Sequence, residues 1–144
     1  MKKVLPVTAL FAAVALATFA ARAQEAPSVV SASPAFAQLQ PDMQGTVTQP
    51  LMHAPAGDVI AVYFGRAPKQ VYSKQDELIY VISGHGSVTV GYPSYDVGPG
   101  SLISIPRNTA FDVLARGNAP VKAILIASPS DNPSDKKILE QTQQ

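Results

Sequence analysis

Short apolar runs separated by glycine and proline dominate the chain from residue 58 onward. Within the runs, valine, isoleucine and aromatic residues alternate with polar ones, which is the pattern of a strand with one buried face. The runs cover residues 58–64, 77–83, 87–90, 94–97, 101–105, 110–114 and 121–127, and residues 51–54 are a candidate edge strand. Short strands with turn residues between them, and no amphipathic helix, predict an all-β domain: a small antiparallel β-barrel or jelly roll.

The amino terminus has the pattern of a cleavable signal peptide. Two lysines precede an apolar run over residues 4–21, and the triplet Ala21-Arg22-Ala23 has small side chains at its first and third positions. We expect residues 1–23 to be removed and the mature chain to be periplasmic or secreted, with no membrane association after cleavage. The alternative is a retained membrane anchor, for which the apolar run is short.

Three segments are expected in the mature chain. Residues 24–46 are predicted to be an extended lead-in, because three prolines interrupt a stretch rich in alanine, serine and glutamine. Phe36 could dock on the domain, or the segment could pack across a partner subunit. Residues 47–128 should form the barrel, and residues 129–144 a polar tail or a short helix capped by Ser134.

The charge count argues against a nucleic-acid partner. The chain has 11 basic and 10 acidic residues, and cleavage removes three basic ones, which leaves 8 against 10 and a net charge of −2. No basic stripe with interleaved aromatic residues is present either. Cysteine is absent from the sequence, so no disulfide or lipoprotein anchor is expected and packing alone must stabilise one core.

Two stretches resemble the motifs of the cupin superfamily. In the first, residues 76–86, Glu77 stands where the family has a metal-binding glutamate and Gly84 where it has a turn glycine. In the second, residues 97–108, a strand opened by glycine ends in a proline, as in the second cupin motif. The resemblance covers residues 59–127 and implies a single-domain exported cupin.

The histidines that metal-binding cupins carry are missing at their usual positions. In the family, two histidines precede the glutamate and a third follows the second motif. The longer spacing puts Gln70 and Tyr72 in the first two positions, the shorter one puts Val71 and Ser73 there, and Phe111 stands in the third. Imidazoles are the usual ligands of divalent transition metals, so the resemblance here implies the fold without a metal, and no cofactor is expected.

Two histidines occur elsewhere in the chain. His85 lies between Gly84 and Gly86, a predicted hairpin turn in which its ring should point to solvent. His53 lies in the candidate edge strand and could reach the family site only by swinging in from there. We expect it to be a partly exposed strand residue.

The residues at the family site predict a pocket of mixed character. Strand alternation puts Glu77 on the face that points into the barrel. Gln70 and Glu77 would form hydrogen bonds to a small polar ligand, and Tyr72 or Phe111 would stack on it. In the alternative, the same side chains bond to one another and fill the barrel, or a register shift leaves Glu77 in solvent.

Arg107 is a further candidate ligand-binding residue. It follows a proline at the predicted barrel mouth, where it could bind an anion. It could also simply pair with Asp112 or with a surface acid.

Three functions remain open on these residues. The first is an exported protein that binds a sugar or an organic acid without a metal. The second is a metal-independent isomerase or epimerase in which Glu77 and Tyr72 act as general acid and base. The third is a metal-dependent dioxygenase, for which the ligands are missing.

The resemblance also implies a homodimer, since cupins commonly dimerise through strand exchange or sheet packing. The predicted strand over residues 59–64 is a candidate for the surface that a partner would cover.

Overall fold

Two five-stranded antiparallel sheets, packed against each other, make up most of the computed structural model, which describes residues 27–139. The first sheet has the order β1-β2-β9-β4-β7 and the second β10-β3-β8-β5-β6. The elements are α1 (Ala32–Gln38), β1 (Thr46–Ala54), β2 (Gly57–Phe64), β3 (Arg66–Val71), β4 (Asp76–Ser83), β5 (His85–Val90), β6 (Ser94–Val97), β7 (Leu102–Ile105), β8 (Phe111–Arg116), β9 (Val121–Ser128), a 3-10 helix (Pro133–Asp135) and β10 (Lys137–Ile138). The predicted all-β jelly-roll class is confirmed.

The seven predicted runs are all strands, with ends that differ from the prediction by no more than two residues. Their alternation places the core between the sheets. On β4, Glu77, Ile79 and Val81 are buried, whereas Tyr80 and Ile82 are exposed. The predicted inward register of β4 is therefore confirmed.

Strand β3 was not predicted. Its sequence, Arg-Ala-Pro-Lys-Gln-Val, has few apolar residues, and Pro68 removes a backbone donor, which weakens any strand signal. The structure accommodates the proline with a register shift between Ala67 and Gln70 in the pairing of β3 with β8. This strand carries Gln70 into the interior, where the side chain is buried.

The predicted hairpin around His85 is wrong, because β4 and β5 belong to different sheets. The chain instead turns a corner between them at Gly84, whose φ is +84°. A Cβ there would lie 2.6 Å from the carbonyl oxygen of Pro120, and one at Gly86 would lie 2.6 Å from that of Leu114. Glycine is thus required by close backbone approach at a corner between sheets.

The lead-in predicted over residues 24–46 is not extended throughout. Helix α1 forms within it because Pro34 occupies the first turn, where a backbone N–H has no intrahelical partner to lose. Phe36 docks as anticipated, is buried, and meets Tyr63 edge to face with 5.4 Å between ring centroids. The signal peptide lies outside the described residues, and no helix within 27–139 is long and apolar enough to cross a membrane.

The carboxyl-terminal segment also differs from the prediction. The Asn132 side chain, and not Ser134, is the cap: its Oδ1 accepts a hydrogen bond from the Ser134 backbone N–H. The helical segment is a single 3-10 turn, and the chain then joins the second sheet as β10 beside β3. The strand pairing of Lys137 and Ile138 with β3, directly after the turn, leaves no room for a longer helix.

Candidate ligand-binding site

A cavity of about 270 Å³ lies between the sheets where the edge strand β1 faces β3. The residues that line it are Gln44, Gly45, Thr46, Thr48, Val62, Phe64, Arg66, Pro68, Gln70, Tyr72, Glu77, Leu125 and Lys136. A smaller lobe of about 120 Å³ shares several of these residues and adds Asp131 and Pro133. The cavity is therefore open and of mixed polar and apolar character, and the only carboxylates among its described lining residues belong to Glu77 and Asp131.

Glu77 is the most unusual group in the cavity. Strand β4 holds it between β7 and β9, and its side chain is only 4% exposed. Its Oε1 accepts a 3.3 Å hydrogen bond from Gln75 Nε2, whereas Oε2 is buried without a partner among the described residues. Burial raises the pKa of this carboxyl from 4.5 to about 7, opposed by the Gln75 hydrogen bond, and Asp131 raises it further.

Gln75 ties Glu77 to the carboxyl-terminal segment. Besides Glu77, its Nε2 donates to Asp131 Oδ1 at 3.2 Å, and its Oε1 accepts from the Asn132 backbone N–H at 2.8 Å. Gln75 is 1% exposed, so these bonds satisfy a buried amide. The sequence did not predict a role for Gln75 or Asp131. The contact between them spans 56 positions of the chain, and no local pattern indicates it.

Asp135 holds the same segment at a second point. Its carboxylate accepts hydrogen bonds from the backbone N–H groups of Ser73 and Lys74, both at 2.7 Å, and from the Ser73 hydroxyl. The Ser73 hydroxyl is the main cause that lowers the pKa of Asp135, with help from the two N–H groups. With the tail fixed in this way, Asp131 and Lys136 become part of the cavity wall.

Gln70, Tyr72 and Glu77 are brought together as predicted around the cavity. Phe111 lies behind them: it is 1% exposed and stacks on Tyr72 with centroids 6.4 Å apart and planes 22° apart. Phe111 therefore supports the Tyr72 ring and belongs to the core. Burial, and then the Glu77 charge, raise the pKa of Tyr72 far above its usual value, so its phenol keeps its proton.

Arg107 is not among the lining residues. Its guanidinium forms a two-pronged ion pair with Asp76, with Nε–Oδ1 at 3.1 Å and Nη2–Oδ2 at 2.8 Å, and its backbone N–H binds the same carboxylate. These contacts, hydrogen bonds first, lower the pKa of Asp76 to about 2. The partner is thus a surface acid and not Asp112, because the β4–β7 register places Arg107 beside Asp76.

The histidines lie away from the cavity. His53 is on β1 with its side chain 77% exposed, and its Nδ1 contacts Asp58 Oδ1. His85 is exposed at the start of β5, with its ring over Gly98. Neither swings toward Glu77.

The donor set at the family position does not fit a divalent transition metal. Gln70 offers an amide, Tyr72 a phenol that stays protonated, and Phe111 no donor at all, which leaves one carboxylate. Across residues 27–139, no three His, Cys, Asp or Glu side chains lie close enough to hold an ion. No chemistry that depends on a metal at this position is assigned.

Two stacked antiparallel sheets with a cavity of mixed polarity between them define a jelly-roll domain of the double-stranded β-helix kind. Residues 64–127 match the family model described as a cupin domain, and the chain belongs to the cupin superfamily. An uncharacterised protein from Methanocaldococcus jannaschii is 31% identical over 65 residues, which is 45% of this chain. The chain spans about half the length of that curated relative, 52% of it.

Solved structures agree on the fold. An uncharacterised protein with a double-stranded β-helix domain from Klebsiella pneumoniae superposes with a TM-score of 0.65 at 12% identity, covering 81% of this chain and 100% of that one. Pac13 from Streptomyces, solved with uridine, has a TM-score of 0.55 at 17% identity, covering 71% and 90%. KdgF from Halomonas has a TM-score of 0.54 at 19% identity, covering 60% and 82%. At these identities the likeness concerns architecture alone.

Proposed function

We propose that this cupin binds one small polar ligand, a sugar or an organic acid, in the β1–β3 cavity without a metal. The observation that carries the proposal is a pair of buried oxygens, Glu77 Oε2 and Thr46 Oγ1, which have no hydrogen-bond partner in the described part of the chain. Both residues line the same cavity. A buried polar atom without a partner costs about 1–3 kcal/mol, which a ligand with hydroxyl groups would recover.

The size of the cavity restricts the ligand. A volume of about 270 Å³ lies just below the usual range of small-molecule sites, about 300–1,000 Å³, and suits a single small ring or a short chain. The uridine in Pac13 shows that a neighbour of the same architecture binds a hydroxylated small molecule, which supports the ligand class proposed for this chain.

A thermal-shift and calorimetric screen against monosaccharides and hydroxy acids tests the proposal. We expect at least one of these compounds to stabilise the protein, by about 2.7 kcal/mol at a concentration one hundred times its Kd. Glu77→Gln and Thr46→Val should each reduce the affinity for that ligand. Asp96→Asn, which alters an exposed ion pair with Arg116, should leave the affinity unchanged. A screen without any stabilising compound, or equal binding by all variants, would contradict the proposal.

A second candidate function is isomerisation or epimerisation of the bound ligand. A pKa of about 7 lets Glu77 accept and return a proton near neutral pH, and the Tyr72 phenol, which keeps its proton, can donate a hydrogen bond to a ligand oxygen. Turnover of the ligand found in the screen, abolished in Glu77→Gln, would support this function. If the ligand binds but is not converted over many hours, the second function is contradicted and only the binding function remains.

We also propose export, with cleavage after Ala23. The support is the sequence pattern of two lysines, an apolar run and the small-residue triplet. Intact mass spectrometry of protein recovered outside the cytoplasm should give a chain that begins at Gln24. A full-length mass in that fraction would contradict the proposal.

A homodimer is proposed on a surface other than the one first predicted. Strand β2 lies inside its sheet, and its outward residue Ala61 is buried under α1, so residues 59–64 are not available to a partner. The outer faces of β4, β7 and β9 instead carry exposed apolar side chains, here called the outer patch: Tyr80, Ile82, Leu102 and Ile126. Because the four side chains of the outer patch are uncharged, a second copy of the patch is a suitable partner.

Light scattering during size exclusion tests the dimer. The wild type should elute at twice the chain mass at micromolar concentration, and Tyr80→Glu, which places a charge in the outer patch, should shift it to the monomer. Leu114→Glu, a substitution of a similarly exposed residue on the outer face of the other sheet, should leave the mass unchanged. A monomeric wild type would contradict the proposal.

A further inference from the structure

Two cations line the cavity that holds Glu77. Arg66 begins β3, and Lys136 follows the 3-10 helix of the tail, so different parts of the chain supply them. Both residues are exposed and line the rim of the cavity, whereas Thr46 and Glu77 contribute buried oxygens inside it. Arg66 also lines a groove on the outer face of the second sheet.

Neither rim cation is used by the fold. The ion pairs within residues 27–139 are His53–Asp58, Arg107–Asp76 and Arg116–Asp96. Arg66 and Lys136 therefore have no acidic partner there. The same is true of Lys69, Lys74, Lys122 and Lys137, but none of these lysines lines the cavity. Lys136 does act on the site electrostatically, since it lowers the pKa of Glu77.

The charges in the two lobes define what kind of molecule fits. Arg66 and Lys136 contribute two positive charges, and Asp131 contributes one negative charge that is already bonded to Gln75. Below about pH 7, where Glu77 mostly keeps its proton, one negative charge from a ligand balances the site. A neutral sugar would leave one positive charge of the site without a counter-charge, and a dianionic phosphate would bring excess negative charge close to two carboxyl groups.

We propose that the ligand is a small hydroxycarboxylate whose carboxylate lies at the rim between Arg66 and Lys136 and whose hydroxyl groups reach Thr46 and Glu77. This rests on the proposed binding function and narrows it to one chemical class. Guanidinium and ammonium donors form strong, charge-assisted hydrogen bonds to carboxylate, which gives the rim the role of selecting the acid over the corresponding neutral sugar.

Matched ligands test the inference by calorimetry on the mature protein. The pairs are glucuronate with glucose, galacturonate with galactose, mannuronate with mannose and glycerate with glycerol, together with glucose 6-phosphate. We expect the best acid to bind at least about tenfold more tightly than its neutral partner and than the phosphate ester, with an affinity that falls as salt is raised.

Single substitutions locate the effect. Arg66→Gln and Lys136→Gln should each reduce the affinity for the acid by about tenfold and leave the affinity for the neutral partner unchanged. The matched control is Lys137→Gln, which removes a neighbouring charge on β10 that does not line the cavity. Circular dichroism spectra that superpose with the wild type show that each variant is folded.

The outcomes separate the two levels of the proposal. If no compound in the set binds, the binding function itself is contradicted. If the neutral sugar binds as tightly as the acid, if the phosphate ester binds more tightly, or if Lys137→Gln acts like Lys136→Gln, the hydroxycarboxylate assignment is wrong while the binding function stands.

Discussion

Phe111→Ala is expected to lower the free energy of unfolding by about 3–5 kcal/mol, which is the usual cost of removing a buried aromatic ring. Phe111 is 1% exposed and pairs with Gln70 and Val90 on the neighbouring strands β3 and β5. Its ring also supports Tyr72. The loss includes the transfer free energy of the ring and the cavity left between the sheets, since neighbouring strands can collapse only partly into it.

Urea unfolding at constant pH measures this loss. Leu114→Ala is the matched control, because Leu114 lies on the same strand, β8, but is 41% exposed on the outer face. It should cost less than about 1 kcal/mol. Equal losses in the two variants would show that Phe111 does not occupy the core position that the structure gives it. The substitution should also weaken ligand binding, because the Tyr72 ring loses its support.

The alternation of apolar and polar residues was sufficient to predict most strands. On β4, the period of two alone identifies Glu77 as an inward residue, and the structure confirms it. The same signal fails on β3, where Pro68 and two basic residues hide a strand that is fixed by pairing with β8. A local pattern therefore predicts a strand whose own residues are apolar and buried. It misses a strand that is fixed mainly by pairing with its neighbours.

The only cavity residues that the sequence predicted are those at positions given by the spacing of the family motifs. Gln70, Tyr72 and Glu77, which all belong to the first motif, meet around the cavity, whereas Phe111, the candidate that follows the second motif, does not line it. Gln75 and Asp131, by contrast, contact each other across 56 positions, and that contact depends on where the tail is tied down. No pattern within either segment contains that information.

Arg107 illustrates the opposite error. Its place after the proline of the second motif suggested the barrel mouth, yet its partner is decided by register. Glu77 pairs with Ile105 across β4 and β7, which sets Asp76 beside Arg107. A shift of one residue in that pairing would have changed the partner. Sequence proximity to a motif is thus weaker evidence for a ligand-binding role than a place on the cavity wall.

A carboxyl group that is buried without full solvation should lower the free energy of unfolding relative to a protein with a neutral side chain at that position. Glu77 lies in a cavity with one hydrogen bond from Gln75, while Asp131 and Tyr72 add further polar groups nearby. The structure keeps this group at the position where a ligand would meet it. Sites that bind or react commonly retain such a cost, which a substitution can remove at the expense of function.

Glu77→Gln is accordingly expected to stabilise the protein above neutral pH. Because the pKa of Glu77 rises from 4.5 to about 7 on folding, the folded state holds a proton that the unfolded state has released between those values. The stability of the wild type is therefore fully present below about pH 4.5 and falls as pH rises through 7, by about 2–3 kcal/mol between pH 5 and pH 8. A neutral amide does not titrate, so the variant should lose this slope.

Urea unfolding of both proteins at intervals from pH 5 to pH 8 measures the difference. The groups that face Glu77 are Tyr72, directly after β3, Gln75 from the turn before β4, and Asp131 and Lys136 from the tail. All of them remain in the variant. Asp76→Asn serves as the control, because the pKa of Asp76 is lowered to about 2 and its contribution is lost only on acidification below about pH 4. Two parallel curves for wild type and Glu77→Gln would mean that Glu77 is ionised and well solvated in the folded protein, and the cavity would then lack the buried acid on which its proposed chemistry depends.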